Sequence, residues 1–227
     1  MAAKAQTGGA AGALPEAPRN VLKLSASGRV EAQQDLLRVT LSTVRDGTDV
    51  AVVQKELSTA LDAALAIIKP SAQKGQLDVR TGNFSVNPSY NKNGKITGWQ
   101  GSTELVLEGR DFARITTAAA RAQSLSIANI TFDLSPERRA QVESQARAQA
   151  IDRFKDKAAE IAKAFGFANY SLREVTISSD ENATVPRMFA NKAAMSMKSV
   201  LGEPPSVQVE PGNATVTVTA TGSVQAR

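Results

Sequence analysis

The sequence predicts an α+β fold in which about three helices, one of them long, pack on one side of antiparallel sheets of about seven strands. Three observations predict it. Strand-length runs alternate apolar and polar residues, the period of a half-buried strand. Three other segments carry a single apolar stripe at helical spacing. The elements come in strand–strand–helix order, the order of an α+β fold.

The first alternating run is Val21 to Val30, with Leu22, Leu24 and Ala26 on one face and Lys23, Ser25 and Ser27 on the other. Leu37 to Val44 repeats the pattern with Leu37, Val39 and Leu41 inward, leaving Gly28 to Gln34 as the connection. Asp46-Gly47 breaks the chain, and Thr48 or Asp49 supplies an N-cap oxygen. The helix that follows reaches about Ile68, with Val53, Leu57, Ala60, Leu61, Ala64, Leu65 and Ile68 in one stripe, and Pro70 stops it. A second strand pair begins at Leu77 to Val86, continues to Tyr90, turns at Asn91-Lys92-Asn93-Gly94 and returns over Lys95 to Leu107. Asn-Gly is a strong turn pair because both residues tolerate positive φ. On the return strand Trp99, Gly101, Thr103, Leu105 and Leu107 share one face.

Asp111 caps a shorter helix to about Gln123, with Phe112, Ile115 and Ala119 inward. Leu125 to Leu134 is a strand in which Ala128, Ile130, Phe132 and Leu134 alternate. Ser135-Pro136-Glu137 then reads as N-cap, first-turn proline and an acid at the positive end of the helix dipole. That long helix ends at Phe165-Gly166-Phe167, where Gly takes the left-handed position. Its stripe is Val142, Ala146, Ala150, Phe154, Ala158, Ile161 and Phe165. The opposite face mixes Arg138, Arg139, Glu143, Arg147, Asp152, Lys155, Asp156 and Glu160, the make-up of a solvated surface. Leu172 to Ile177 is a further strand. Ala214 to Val224 is the last, with Thr215, Thr217, Thr219 and Thr221 along one side.

Composition narrows the chemistry. The chain has 227 residues, 42% hydrophobic and 22% charged, the balance of a globular protein. Cys and His are both absent. That removes thiol nucleophiles, zinc ribbons, iron–sulfur ligation, Ser–His–Asp triads and most transition-metal sites. No catalytic, cofactor-binding or metal residue is assigned, and no cofactor is expected. A chain without Cys suits an oxidising compartment, although many cytosolic proteins share the trait. The net charge of +5 is spread over the whole length with no basic cluster, so a nucleic-acid partner is not expected. No run approaches the ~20 apolar residues of a membrane helix. Residues 1–20 read as a flexible leader and 21–227 as one domain. Met1 to Ala17 lacks the apolar core of a signal peptide, and a mature secreted chain and a naturally disordered start both fit it.

The domain carries a long insertion, Ser178 to Gly212, with no clean period. It holds Met188, Phe189, Met195 and Met197, and Met is adaptable and over-used at contact surfaces. These four are candidate subunit-interface residues, and a lid folded back on its own core would use them equally well. Asp180-Glu181 has no second acid tied to it. Ser196 and Lys198 stand two apart, whereas the Ser–Lys hydrolase motif needs three.

The order of these segments resembles the SIMPL-domain family, which includes bacterial periplasmic immunogenic and oxidative-stress-defence proteins and a eukaryotic relative that binds a receptor-associated kinase. The opening pair Ser25-Ala26-Ser27-Gly28-Arg29-Val30 with Asp35 and Val39-Thr40-Leu41 is similar to the family's first strands. Thr81-Gly82-Asn83-Phe84 through Pro88-Ser89-Tyr90 resembles its "T-x-N-F-x-x-x-P-x-Y" strand, and Ile96-Thr97-Gly98-Trp99 its "I-x-G-Y". Ile130-Thr131-Phe132-Asp133-Leu134-Ser135 and the Ala/Lys spacing up to Gly166 resemble the approach to the long helix and the helix itself. Gly212 to Val218 is similar to the closing strand. The likeness spans about Leu22 to Val224. The family often has Pro before the first-turn Asp, where this chain has Gln34, and Arg29 stands where it usually has a second Gly or an acid.

The resemblance implies an α+β fold, a periplasmic or secreted location, with a cytoplasmic one as the alternative, and assembly into ring- or channel-like homo-oligomers larger than a dimer. It implies a link to envelope or oxidative stress defence, and no reaction. The chain is therefore expected to be a non-catalytic, self-assembling exported protein. The alternative is a protein-binding adapter like the eukaryotic relative.

Overall fold

The computed structural model describes residues 19–179 and 209–227. Their order is β1 (Val21–Gln33), β2 (Leu36–Gly47), α1 (Val50–Ile68), β3 (Asp78–Tyr90), β4 (Ile96–Gly109), α2 (Phe112–Arg121), β5 (Ser126–Asp133), α3 (Pro136–Ala164), β6 (Tyr170–Ser179) and β7 (Asn213–Ala226). The fold is α+β, as expected. Its strands form two sheets, ordered β1-β7-β6 and β3-β4-β2-β5. The expected leader up to residue 18 and residues 180–208 of the insertion lie outside the described residues.

One expected boundary moves. The connection placed at Gly28 to Gln34 is only Gln34 and Asp35, because β1 keeps its in–out alternation through half-buried Val30 and buried Ala32. Gln34 N–H still donates to Gly212 O at 2.9 Å, so pairing with β7 holds to the end of the strand.

The chain divides into two compact units. Among the described residues the first takes 19–28, 147–178 and 218–227. Leu24, Val218, Ala220, Val224 and Ala226 from its strands are buried, as are Ala150, Phe154, Ala158 and Ala162 from α3. The small Ala side chains let the helix lie close over the sheet. Ala226 N–H donates to Asn20 O at 3.0 Å, and the Ser27 and Thr219 hydroxyls share a 2.9 Å hydrogen bond. Together these set β1 and β7 antiparallel. Asn169 and Arg227 exchange backbone hydrogen bonds of 3.0 and 2.8 Å, which starts the β6–β7 ladder.

The end of α3 follows the sequence closely. Gly166 has φ 83°, its N–H donates to Lys163 O, and Phe167 N–H donates to Ala162 O, both at 3.0 Å. This is a Schellman cap. The buried stripe continues to Ala162, with Ile161 half-buried beside it and Phe165 exposed. The expected inward place of Phe165 is therefore corrected: the helix unwinds at Gly166, and Phe167 makes the turn back instead.

The second unit takes 29–146, 179 and 209–217 of the described residues. Its four-stranded sheet is antiparallel throughout. Asp49 caps α1 by accepting from Ala51 N–H at 2.7 Å, and Asp111 caps α2 by accepting from Arg114 N–H at 2.9 Å. Both helices pack on one face, where Leu37, Val39, Leu41, Leu105 and Leu107 meet Ala60, Ala64, Ile68, Ile115 and Ala119. The expected alternation of β5 is broken once: Thr40 pairs with Asn129 but Leu41 with Ile127, so Ala128 is bulged out and exposed. A smaller apolar cluster of Ala32, Leu134, Val142, Ala214 and Val216 lies in the same unit.

Candidate functional site

Two features gather chemistry among the described residues: a polar knot at the start of α3, and the strand edges. The knot forms because the two-residue turn after β1 is tied down on all sides. Asp35 N–H donates to Asp133 O at 3.1 Å, and the Gln34 side-chain amide donates to Phe132 O at 2.9 Å. The turn then holds the Asp35 carboxylate against the first residues of α3. Ser135 donates to it twice, through its N–H and its hydroxyl, each at 2.7 Å. The same hydroxyl accepts from Arg138 N–H at 3.3 Å and so caps the helix. Arg110 lies 3.9 Å from Asp35 and also pairs with Glu137, while Arg139 pairs with Asp133 at 2.6 Å.

Burial pushes the Asp35 pKa up, but the two Ser135 hydrogen bonds and the Arg110 charge outweigh it, and the carboxyl is held below its ordinary value. Serine beside a carboxylate has the outline of a nucleophile site but not its chemistry here. Ser135 is buried, and its hydroxyl is engaged by both Asp35 and Arg138. The knot is a clamp on the start of α3, and it presents no free nucleophile. Among the described residues no group of three or more carboxylates is placed to hold a metal ion.

Each sheet has two edges, and they differ. The β1 edge is capped: Arg153 donates to Ser27 O at 2.8 Å and Lys157 to Ser25 O at 3.1 Å, so two cations one helical turn apart on α3 occupy successive outward carbonyls. The β3 edge carries Pro88, which has no N–H to offer, and a bulge where Gly82 and Asn83 face Glu104. The β5 edge is eight residues long and bulged at Ala128. Among the described residues β6 is the one edge that is neither capped, bulged nor interrupted by proline over ten residues, and Leu172, Val175 and Ile177 on it are 60%, 36% and 42% exposed. Gly222 holds β7 tight against it, for a Cβ there would come within 2.1 Å of Glu174 O.

The four sequence-based interface candidates, Met188, Phe189, Met195 and Met197, lie outside the described residues. Sequence reasoning had the Ser135 cap but missed its tie to Asp35, which is a hundred residues away in the chain. It also missed the edge-capping role of Arg153 and Lys157. Their four-residue spacing beside the Phe154–Ala158 stripe was the available signal.

The sequence matches the family model SIMPL, described as a protein of unknown function (DUF541), over residues 22–224. The chain belongs to the SIMPL family. No curated protein matches it. The match reaches every strand and helix of both units, so the clamp at Asp35 and the open β6 edge both belong to the SIMPL domain. No helix of the described residues in this SIMPL chain is long and apolar enough to cross a membrane.

Proposed function

We propose that this SIMPL protein is a non-catalytic, exported assembly protein that associates with copies of itself through the β6 edge. The observation that carries the reading is the contrast among edges: three are capped, bulged or blunted, and among the described residues β6 alone offers a long outer edge without a partner strand and with exposed apolar side chains. A second copy supplies the natural complement, because two β6 strands can pair antiparallel about a two-fold axis. Growth beyond two copies needs a second contact, for which Met188, Phe189, Met195 and Met197 are the sequence-based candidates. Support for the non-catalytic part comes from the side-chain inventory, which has neither Cys nor His. The periplasmic or secreted location and the link to stress defence rest on the family resemblance.

Light scattering on the full chain tests the assembly. A mass well above the 23.9 kDa of one chain is expected. Val175→Lys with Ile177→Lys places like charges on the edge and should lower that mass while leaving the melting temperature nearly unchanged. A concentration-independent mass near one chain removes the proposal. An unchanged mass for the double variant removes β6 as the contact.

A further inference from the structure

The β3–β4 hairpin ends in a projection that the core does not use. β4 pairs with β2 only as far as Trp99 opposite Gly47, whereas the β3–β4 ladder continues to Tyr90 opposite Ile96. Residues 90–98 therefore stand beyond the last pair of β2. The tip is held in one shape. Asn91 N–H donates to Lys95 O at 2.9 Å and Gly94 N–H to Asn91 O at 3.0 Å. The Asn91 side-chain oxygen accepts from Asn93 N–H and Lys95 N–H at 2.9 and 3.0 Å. Ordering this segment on binding thus carries little further entropy cost.

What the tip displays is specific in kind. Tyr90 and Ile96, cross-strand neighbours, are 61% and 53% exposed. Lys92 and Lys95 are exposed in the turn between them, and from Asn87 to Gly98 they are the only charged residues. A phenol, an aliphatic side chain and two cations, with no acid within residues 87–98, match a surface that is anionic outside and apolar just beneath. A nucleic acid offers no such apolar layer, and a protein partner would need acids placed around an apolar pocket. The geometry points to the interfacial zone of a bilayer containing anionic phospholipid as the partner of this tip: Tyr90 and Ile96 enter the headgroup region and the lysines stay among the phosphates.

Co-flotation of the full chain with vesicles tests this. Binding is expected to vesicles of phosphatidylcholine with phosphatidylglycerol, and not to phosphatidylcholine alone. Lys92→Gln with Lys95→Gln should weaken the partition about 30-fold, as two surface lysines predict. Tyr90→Ser with Ile96→Ser should weaken it further and make the remainder fully salt-sensitive. Both pairs lie outside the core, so circular dichroism and melting temperature should stay as in the parent, and light scattering should return the parent's mass. Failure to float with the anionic vesicles at millimolar lipid overturns the inference, as does flotation that neither pair reduces. If the Tyr90/Ile96 variant instead loses oligomer mass, the tip is a contact between copies and the lipid assignment is wrong.

Discussion

Thr103 is fully buried on β4, facing the helices, and its hydroxyl has no hydrogen-bond partner among the described residues. Its cross-strand neighbour Thr43 is served by Arg45 at 2.6 Å, so the deficit falls on one residue of the pair. Thr103→Val keeps the shape and removes the unpaired group, and should stabilise the fold by about 1 kcal/mol in urea unfolding. Asp35 makes the opposite case. Its pKa lies below the ordinary 3.8, so its contribution is full above that value and fades as pH falls through the lowered one. Asp35→Asn should cost about 1 kcal/mol at neutral pH, at the low end for charged hydrogen bonds because the side chain is 37% exposed. The gap in melting temperature between parent and variant should close in acid below pH 3.8. A gap that persists there would mean the carboxylate charge is not what holds Ser135.

At the scale of elements, the helix ends decide most. Gly166 has φ 83° and open space where a Cβ would sit, so Gly166→Ala should cost about 1–2 kcal/mol through backbone conformation alone. Thermal melts of the pair check this. The element was legible because its signals are local: proline and acid at the start, glycine at the end, and a stripe every fourth residue between. The β3–β4 hairpin was legible for the same reason, through Asn93-Gly94. What the sequence hid was non-local. The bulge at Ala128 arises from pairing with β2 across some ninety residues, and no pattern within β5 reveals it. The extension of β1 to Gln33 depends on β7, nearly two hundred residues away. The edge contrast that carries the functional reading needed the strand order, which alternation cannot supply. Met188, Phe189, Met195 and Met197 stand out by composition, whereas the structural argument for contact rests on Leu172, Val175 and Ile177.

At the scale of the molecule, the described residues expose the β6 edge and the lysine-bearing aromatic tip, and the chain carries a net charge of +5. The charge keeps copies apart at low ionic strength, and salt screens it over roughly 10 Å at 0.1 M. Assembly through an apolar strand edge should therefore strengthen with salt, while lipid binding through lysines should weaken. Sedimentation velocity and vesicle flotation over the same salt series separate the two. A common trend in both would mean that one surface serves for both contacts.

In the proposed edge-to-edge assembly, the two cations that cover the first strand set how many neighbours each molecule can accept through its sheet edges. Through its sheet edges alone, a unit with one open side has a valence of one, and edge-to-edge association terminates as soon as two units meet. Remove Arg153 and Lys157, which donate to Ser27 O and Ser25 O, and a second side opens. Valence two has no built-in end point: unless the rotation between units closes a circle, growth runs on as a fibre. Arg153→Ala with Lys157→Ala should accordingly convert a solution of discrete particles into elongated, thioflavin-positive filaments visible by electron microscopy. If the variant stays discrete, those carbonyls were not what strand addition required. On this view a pair of donors one helical turn apart acts as a chain terminator for a polymerisation the rest of the sheet is otherwise equipped to carry out.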